Sequence, residues 1–490
     1  QYNGEQAVIL SQMKVLEKYN GLSLPVKAGL WFTICSILQR GISVISMPIF
    51  TRLLPSSDFG EYNLYLSWYM VFSLVVTLNI FAEVFNKGLV DNEQGRDSFV
   101  SGQIGLLSCL FLAFSLVYVV IHDYVNRLTG LSTLLTSVAM LELFANAIVS
   151  FWYARARFEY RYKKLIAVSL SIAISGVVFG ALFTYFSGES DKVIARVLGG
   201  ALPSVVVAIP LLISSVKKSK ALFQFTAWRT TLALAVPLLP HYLSQILLNQ
   251  SDKVMIGWYC DTTSVAIYSI AHSAGLLMIT VTNGMNSAFV PWVYGKLKSK
   301  NWREIGPATY PLCVIVLALN FLLVLFAPEL VAILSTSDYA DACWCIAPIA
   351  TSVVFCFFYS LFTNIEIFYG KTGFVAVASI VAAVLNVVLN LIAIPVFGYV
   401  AAAYTTAISY FVTMLLHYFF VNSITKKEGI PSLIDVRVVL TLSFLMVVLS
   451  GIAMVMYPMN MVRLGTVVAV CALMLLFRKQ ITKAVKILRK

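Results

Sequence analysis

Arg40 stands near the middle of an apolar run, residues 28–50, that is long enough to cross a bilayer. Such a helix takes roughly 20 apolar residues. A cation at its centre costs on the order of 3 kcal/mol or more unless it faces a bundle interior or a wet cavity. Thr33, Ser36, Arg40 and Ser43 recur at helical spacing and so share one polar stripe. The alternative is a pairing of Arg40 with an acid on a neighbouring helix. Arg52 follows three turns further on, at the helix exit.

Three more polar stripes are readable. Asn79, Glu83 and Asn86 fall at i, i+4 and i+7, and Glu142, Asn146 and Ser150 repeat the pattern. His241, Gln245, Asn249 and Asp252 run along a third segment, with Lys253 next in line. Stripes on several helices imply a shared wet interior, for which Arg40, Arg52, Asn79, Asn146, His241, Gln245, Asn249 and Lys253 are the candidate lining residues. A carboxylate at membrane depth stays protonated or pairs with a cation. Glu142, Asp252 and Glu366 are accordingly the candidates for an ion-coupling group. Asn283, Asn286, Asn364, Asn386 and Asn390 read as interhelical hydrogen-bonding residues.

The elements that must hold these groups are membrane helices. The 490 residues are 60% hydrophobic and 12% charged, with a mean hydropathy of +0.86. That composition excludes a soluble protein. Apolar runs divided by charged breaks predict fourteen transmembrane helices in an all-α polytopic chain, the second at about 62–84 and the fourteenth at about 460–477. With both termini in the cytoplasm, most of the 35 Lys and Arg fall on the inner side, so the net charge of +13 is a topology signal and not a nucleic-acid footprint. Residues 7–19 are weakly amphipathic and suit the inner membrane surface.

The chain also resembles itself. LPSSDFGEY at 54–62 falls over CDTTSVAIY at 260–268 with an offset of 206, and Tyr160–Ala167 falls over Tyr369–Ala376 with an offset of 209. Near-equal offsets imply two parallel six-helix lobes. The expected division is a cytoplasmic N-terminal segment at 1–27, a lobe at 28–225, a lobe at 226–421, and residues 422–490 as a helix pair with a basic cytoplasmic tail.

Several chemistries are missing from this pattern. The eight Cys and four His are scattered without metal-ligand spacing, so no metal or cofactor is expected. Gly370, Lys371 and Thr372 look like the end of a phosphate loop, but Ile365 occupies the position of its first glycine. The short acidic loops SGESDK and STSDYADA suit a membrane glycosyltransferase or polysaccharide polymerase poorly. A carrier is the expected class.

TRLLPSSDFGEY, PLLPHYLSQILLNQSDKVMIGWY and VAIYSIAHSAG resemble polysaccharide-lipid flippases, of the O-antigen or lipid-linked oligosaccharide type, in the multidrug/oligosaccharidyl-lipid/polysaccharide exporter superfamily. The resemblance covers most of the chain. Arg52, Asp58, Phe59, Gly60 and Tyr62 match the first signature, and Asp252, Lys253 and Tyr268 the second; Ala266 stands where the family often has Gly, and Lys253 where it often has Arg. The resemblance implies a carrier in the bacterial inner membrane, working by alternating access around a cationic central cavity. It would flip an undecaprenyl-pyrophosphate-linked oligosaccharide to the periplasmic leaflet, as a monomer, alongside polymerases and glycosyltransferases. On that reading Arg40 meets the pyrophosphate, since a guanidinium offers several donors to phosphate oxygens, Arg52 receives it nearer the outside, and Asn79, Asn146, His241, Gln245, Asn249 and Lys253 complete the pyrophosphate and sugar site. The rival readings are an ion-coupled drug or metabolite exporter of the same superfamily, and the membrane enzyme above.

Overall fold

Where the sequence runs apolar the chain is helical, even across Pro48, Pro203, Pro210, Pro291, Pro311, Pro348 and Pro395. The structure, a computed structural model, describes residues 21–476 and 478, and among these it contains helices and turns but no strand. Residues 7–19 and the end of the basic tail lie outside the described residues. Twelve helical segments are long and apolar enough to cross a membrane. Two more helices, α2 (Ser56–Thr77) and α17 (Asn460–Leu476), fall where the second and fourteenth spans were expected but outside that set. The first turns of α2 carry Asp58, Glu61 and Asn63, and the described part of α17 is 17 residues long.

The described residues fall into two compact units. The first runs from the start of the described chain to residue 49 and over 72–239, and the second covers 50–71 and the described residues from 240 onward. The end of α1 (Leu24–Leu53) and most of α2 thus belong with the second half of the chain.

The first unit holds α3 (Glu83–Asp91), α4 (Arg96–Thr129), α5 (Thr133–Phe158), α6 (Tyr162–Phe186), α7 (Lys192–Lys218) and α8 (Phe225–Ala235). Its core is built on Phe85, whose ring lies 5.6 Å from Phe99 and 4.8 Å from Phe151, so that α3, α4 and α5 meet in one apolar cluster. Ser132 caps α5 by accepting from the Leu135 N–H at 3.2 Å. Arg155 donates to Asp97 at 2.5 Å and to Glu159 at 2.8 Å, which ties the basic end of α5 to the start of α4.

One expectation fails here. The run 62–84 does not form a single helix: α2 ends at Thr77, and Leu78 and Asn79 adopt left-handed φ of 47° and 52°. The Thr77 hydroxyl donates to the Ser73 carbonyl at 2.6 Å and accepts from the Asn79 N–H at 3.2 Å. A side chain bonded in this way competes with the helical ladder, and Asn tolerates the left-handed region. Asn79 is therefore a turn residue and shares no helix face with Glu83 and Asn86.

The second unit contains α9 (Leu239–Tyr259), α10 (Thr262–Lys298), α11 (Ile305–Leu325), α12 (Ala327–Leu334), α13 (Ala342–Phe368), α14 (Thr372–Phe397), α15 (Val400–Lys427), α16 (Val436–Val455) and α17. A tight 3₁₀ turn, Val236–Leu238, separates α8 from α9 at Pro237. The axis of the unit is α13, with 83% of its membrane-length window buried and with α10, α15 and α16 packed on it. Asp261 caps α10 by accepting from the Ser264 N–H at 2.7 Å. That helix start faces Gly60 so closely that a Cβ on Gly60 would lie 1.7 Å from the Thr262 carbonyl oxygen.

Candidate functional site

Four helices of the second unit converge on Asp252. This carboxylate is buried on α9, and α10, α14 and α15 each send it one donor. Tyr268 donates its hydroxyl to Oδ2, Thr406 donates to Oδ2 at 2.7 Å, and the Asn390 amide donates to Oδ1 at 2.6 Å. A second layer orients these donors. Asn386 donates to the Thr406 oxygen at 3.1 Å and accepts from Ser251 at 3.0 Å, while Thr405 donates to the Asn390 carbonyl oxygen. All seven side chains are buried.

The electrostatics of this cluster are unusual. Its donors are neutral hydroxyls and amides, and no Lys, Arg or His among the described residues lies within 4.0 Å of the carboxylate. These hydrogen bonds, together with the electrostatic attraction of the adjacent Lys253, must offset a desolvation cost of several kcal/mol for the charge. No group of three His, Cys, Asp or Glu converges among the described residues. The oxygens of Asp252, Asn386, Asn390, Thr405 and Thr406 form a hard-oxygen set, which suits a proton or a hard cation better than a soft metal. Lys253, the next residue of α9, is also buried and interacts electrostatically with Asp252.

The other residues of the α9 stripe do not enter the cluster. His241 and Gln245 are half-buried and Asn249 is exposed; the Asn249 amide bonds back to the Gln245 carbonyl at 2.7 Å. The His241 Nδ1 is buried with no hydrogen-bond partner among the described residues. Arg52 is exposed in the last turn of α1 and belongs to the second unit. Glu366, on α13, is wholly buried against His417 of α15.

In the first unit, Arg40 lies on α1 with Thr33, Ser36 and Ser43, all exposed. The hydroxyls of Thr33 and Ser36 bond back to the Gly29 and Phe32 carbonyls at 2.9 and 3.0 Å. Ile34, Ile37 and Ile45 are exposed on the same helix. Glu142 and Asn146 are half-buried neighbours on α5, with the amide 3.4 Å from the carboxylate.

A family model described as "Polysaccharide biosynthesis protein" matches residues 26–294, more than half of the chain. The chain belongs to the polysaccharide biosynthesis protein family. A second model, MatE, matches residues 237–392, the stretch that contains Asp252, Asn386 and Asn390. An uncharacterized membrane protein of Methanocaldococcus jannaschii is 21% identical over 443 residues, covering 82% of this chain and 85% of its own. The probable low-salt glycan biosynthesis flippase Agl15 of Haloferax volcanii is 21% identical over 409 residues, covering 80% and 82%. Among solved structures, lipid II flippase MurJ in its inward closed conformation superposes with a TM-score of 0.69 at 15% identity, covering 92% of this chain and all of that one. An inward-facing MATE family transporter of the MOP superfamily gives a TM-score of 0.59 at 12% identity, covering 82% and 98%. At these identities the likeness is one of fold.

For this family member the sequence pointed to Asp252 and Lys253 but missed most of their surroundings. Asn386 and Asn390, spaced i, i+4 on an otherwise apolar helix, read as hydrogen-bonding residues between helices, and here they serve the carboxylate. Ser251, Thr405 and Thr406 carried no signal in a membrane sequence rich in hydroxyls.

Proposed function

We propose that this family member is a membrane carrier that moves a polyprenyl-pyrophosphate-linked oligosaccharide from the cytoplasmic to the periplasmic leaflet by alternating access. The observation that carries this reading is the Asp252 cluster, a carboxylate shared by four packed helices and hydrogen-bonded by neutral donors. A proton or hard cation held there would tie α9, α10, α14 and α15 together, and its loss would leave a buried charge that drives them apart. Asp252 is thus preferred to Glu142 as the coupling group. Family membership, the name of the Haloferax volcanii relative and the fold shared with MurJ support a glycan-lipid substrate.

The finer assignments extend the same reading. The carrier crosses the membrane fourteen times with both termini in the cytoplasm, α2 and α17 completing the set. It is a bacterial inner-membrane monomer whose substrate is undecaprenyl-linked and whose neighbours in the pathway are glycosyltransferases and a polymerase. Arg40 and Lys253 take the pyrophosphate, with Arg52 nearer the exit. Asn79, Asn146, His241, Gln245 and Asn249 line the path of the sugars.

Leaflet-resolved measurement of lipid-linked oligosaccharide in cells lacking the protein tests the reading. Accumulation on the cytoplasmic leaflet is expected, and an unchanged distribution would end it. Arg40→Ala should lower export about tenfold at unchanged protein abundance, the equivalent of ~1.4 kcal/mol of lost phosphate binding. Arg40→Lys should retain part of the activity. Export of Arg40→Ala at the wild-type level would remove Arg40 from the substrate path. The second reading, an ion-coupled exporter of drugs or metabolites, is favoured by the MatE match and the MATE-like fold. It predicts an unchanged glycan distribution and altered small-molecule efflux.

A further inference from the structure

The second unit holds another buried acid, unconnected to the Asp252 cluster by any hydrogen bond among the described residues. Glu366, near the end of α13, and His417, on α15, are 0% and 1% exposed. The His417 Nδ1 lies 2.9 Å from both carboxylate oxygens. Tyr359 stacks on the imidazole at 5.5 Å and Phe374 meets it edge-on at 5.7 Å. Tyr410 backs Tyr359, and Phe420 backs Phe374 at 3.6 Å. The pair thus sits in an aromatic box closed by α13, α14 and α15.

The surroundings supply no compensating charge. From α13 the titratable groups are Tyr359 and Cys356, and from α15 Tyr410 and Tyr418. On α10 the nearest is Tyr294, packed on Phe368 at 5.4 Å. No charged side chain belongs to α14. On α11, Tyr310 is taken up by the Asp435 N–H at 2.9 Å, and Cys313 is buried. Arg437 of α16 and the nearby Lys371, Lys426 and Lys427 are exposed. His417 is the one ion-pair partner of Glu366 among the described residues.

Two bare acceptors do not sit 2.9 Å apart, so a hydrogen lies between Nδ1 and the carboxylate. With that hydrogen alone the pair carries a net negative charge inside an aromatic box. A second hydrogen, on Nε2, makes the pair neutral, either as imidazolium with carboxylate or as imidazole with carboxylic acid. An uncompensated buried charge costs several kcal/mol. We infer that Glu366 and His417 form a proton-binding site, loaded while α13 and α15 are closed over it and emptied when water enters between them. The site releases one proton, from Nε2, and keeps the hydrogen on Nδ1.

The placement gives this site a use. Thr405 and Thr406 at one end of α15 serve Asp252, and His417 lies roughly 17 Å further along the same helix. A tilt of α15 would therefore disturb both buried acids. That use in transport rests on the carrier reading, whereas the proton site does not.

The test is nitrogen NMR on the full chain, labelled with ¹⁵N-histidine and held in lipid nanodiscs. Four histidines make the spectrum assignable, with His417→Gln identifying the signal by its loss. Near neutral pH the Nε2 of His417 should carry a hydrogen, and at alkaline pH that hydrogen should be lost while Nδ1 keeps its own. In Glu366→Gln the alkaline loss should disappear, because a neutral imidazole beside a neutral amide has no second proton to give up. A bare Nε2 at neutral pH, or an Nε2–H unchanged into alkaline pH, would overturn the proposal and leave a fixed hydrogen bond. Should Glu366→Gln fail to fold, the wild-type titration decides alone. The NMR result does not depend on what is carried, so an unloaded pair and an unchanged glycan distribution are separate failures.

Discussion

Asp252→Asn should lower glycan export by about a hundredfold while leaving the chain folded in the membrane. The substitution keeps the shape of the side chain and removes its charge. It also places an amide N–H₂ where one carboxylate oxygen accepts, so either the Asn390 amide or the Tyr268 and Thr406 hydroxyls lose their acceptor. Hydrogen bonds to a charged group contribute about 1.5–3 kcal/mol, and a hundredfold corresponds to ~2.7 kcal/mol. Stability should change less than transport, because removing a buried charge lifts its desolvation cost and offsets the lost hydrogen bonds. The measurement is leaflet-resolved export normalised to protein amount, beside a melting curve of the purified protein. Asn390→Ala, which leaves the carboxylate and removes one donor, should fall between wild type and Asp252→Asn. Export in Asp252→Asn within a few-fold of wild type would reduce the cluster to a packing device.

The order of effects reflects what a sequence can and cannot carry. Helix positions are local: apolar runs mark where α8, α9 and α10 lie, and Pro237 falls in the 3₁₀ turn that divides α8 from α9. A single hydroxyl can overrule that pattern, as Thr77 does when it ends α2 and turns Asn79 out of the helix. Charge in an apolar segment is also visible, so Asp252 and Glu366 stood out. Their partners did not. Asn390 is 138 residues from Asp252 and His417 is 51 from Glu366, and no periodicity links positions so far apart. His417 looked like one of four scattered imidazoles until the fold brought it against a carboxylate. Arg40 is the converse case: its type and depth were legible, and its stripe is exposed on the helix, yet spacing along one helix cannot name what fills the space in front of it.

Gly60→Ala should sharply reduce the amount of folded protein, although it adds a single methyl group. An ideal Cβ at this position lies 1.7 Å from the Thr262 carbonyl oxygen and 2.5 Å from its carbonyl carbon. Both are backbone atoms, so no rotamer change relieves the clash. Thr262 is the first residue of α10 and follows Asp261, whose side chain fixes the helix start through the Ser264 N–H. Displacing it would disturb Val265, Ala266 and Tyr268, all buried, and through Tyr268 the Asp252 cluster itself. Overpacking against yielding side chains costs about 1–3 kcal/mol, and an obstacle of backbone puts this substitution at or above the top of that range. Gly373→Ala is the control, since nothing lies within 4 Å of its would-be Cβ; it should be neutral or slightly stabilising. The readout is the yield of monodisperse protein in detergent and its melting temperature. A normal yield for Gly60→Ala would mean that α2 does not approach α10 so closely. The glycine of the SSDFGEY signature is thus held by packing, and the 206-residue repeat explains why its counterpart is not: Ala266 carries its methyl group in full burial. The two repeats share a helix start, Ser56 in one and Thr262 in the other. They differ at the residue where one repeat must make room for the backbone of the other.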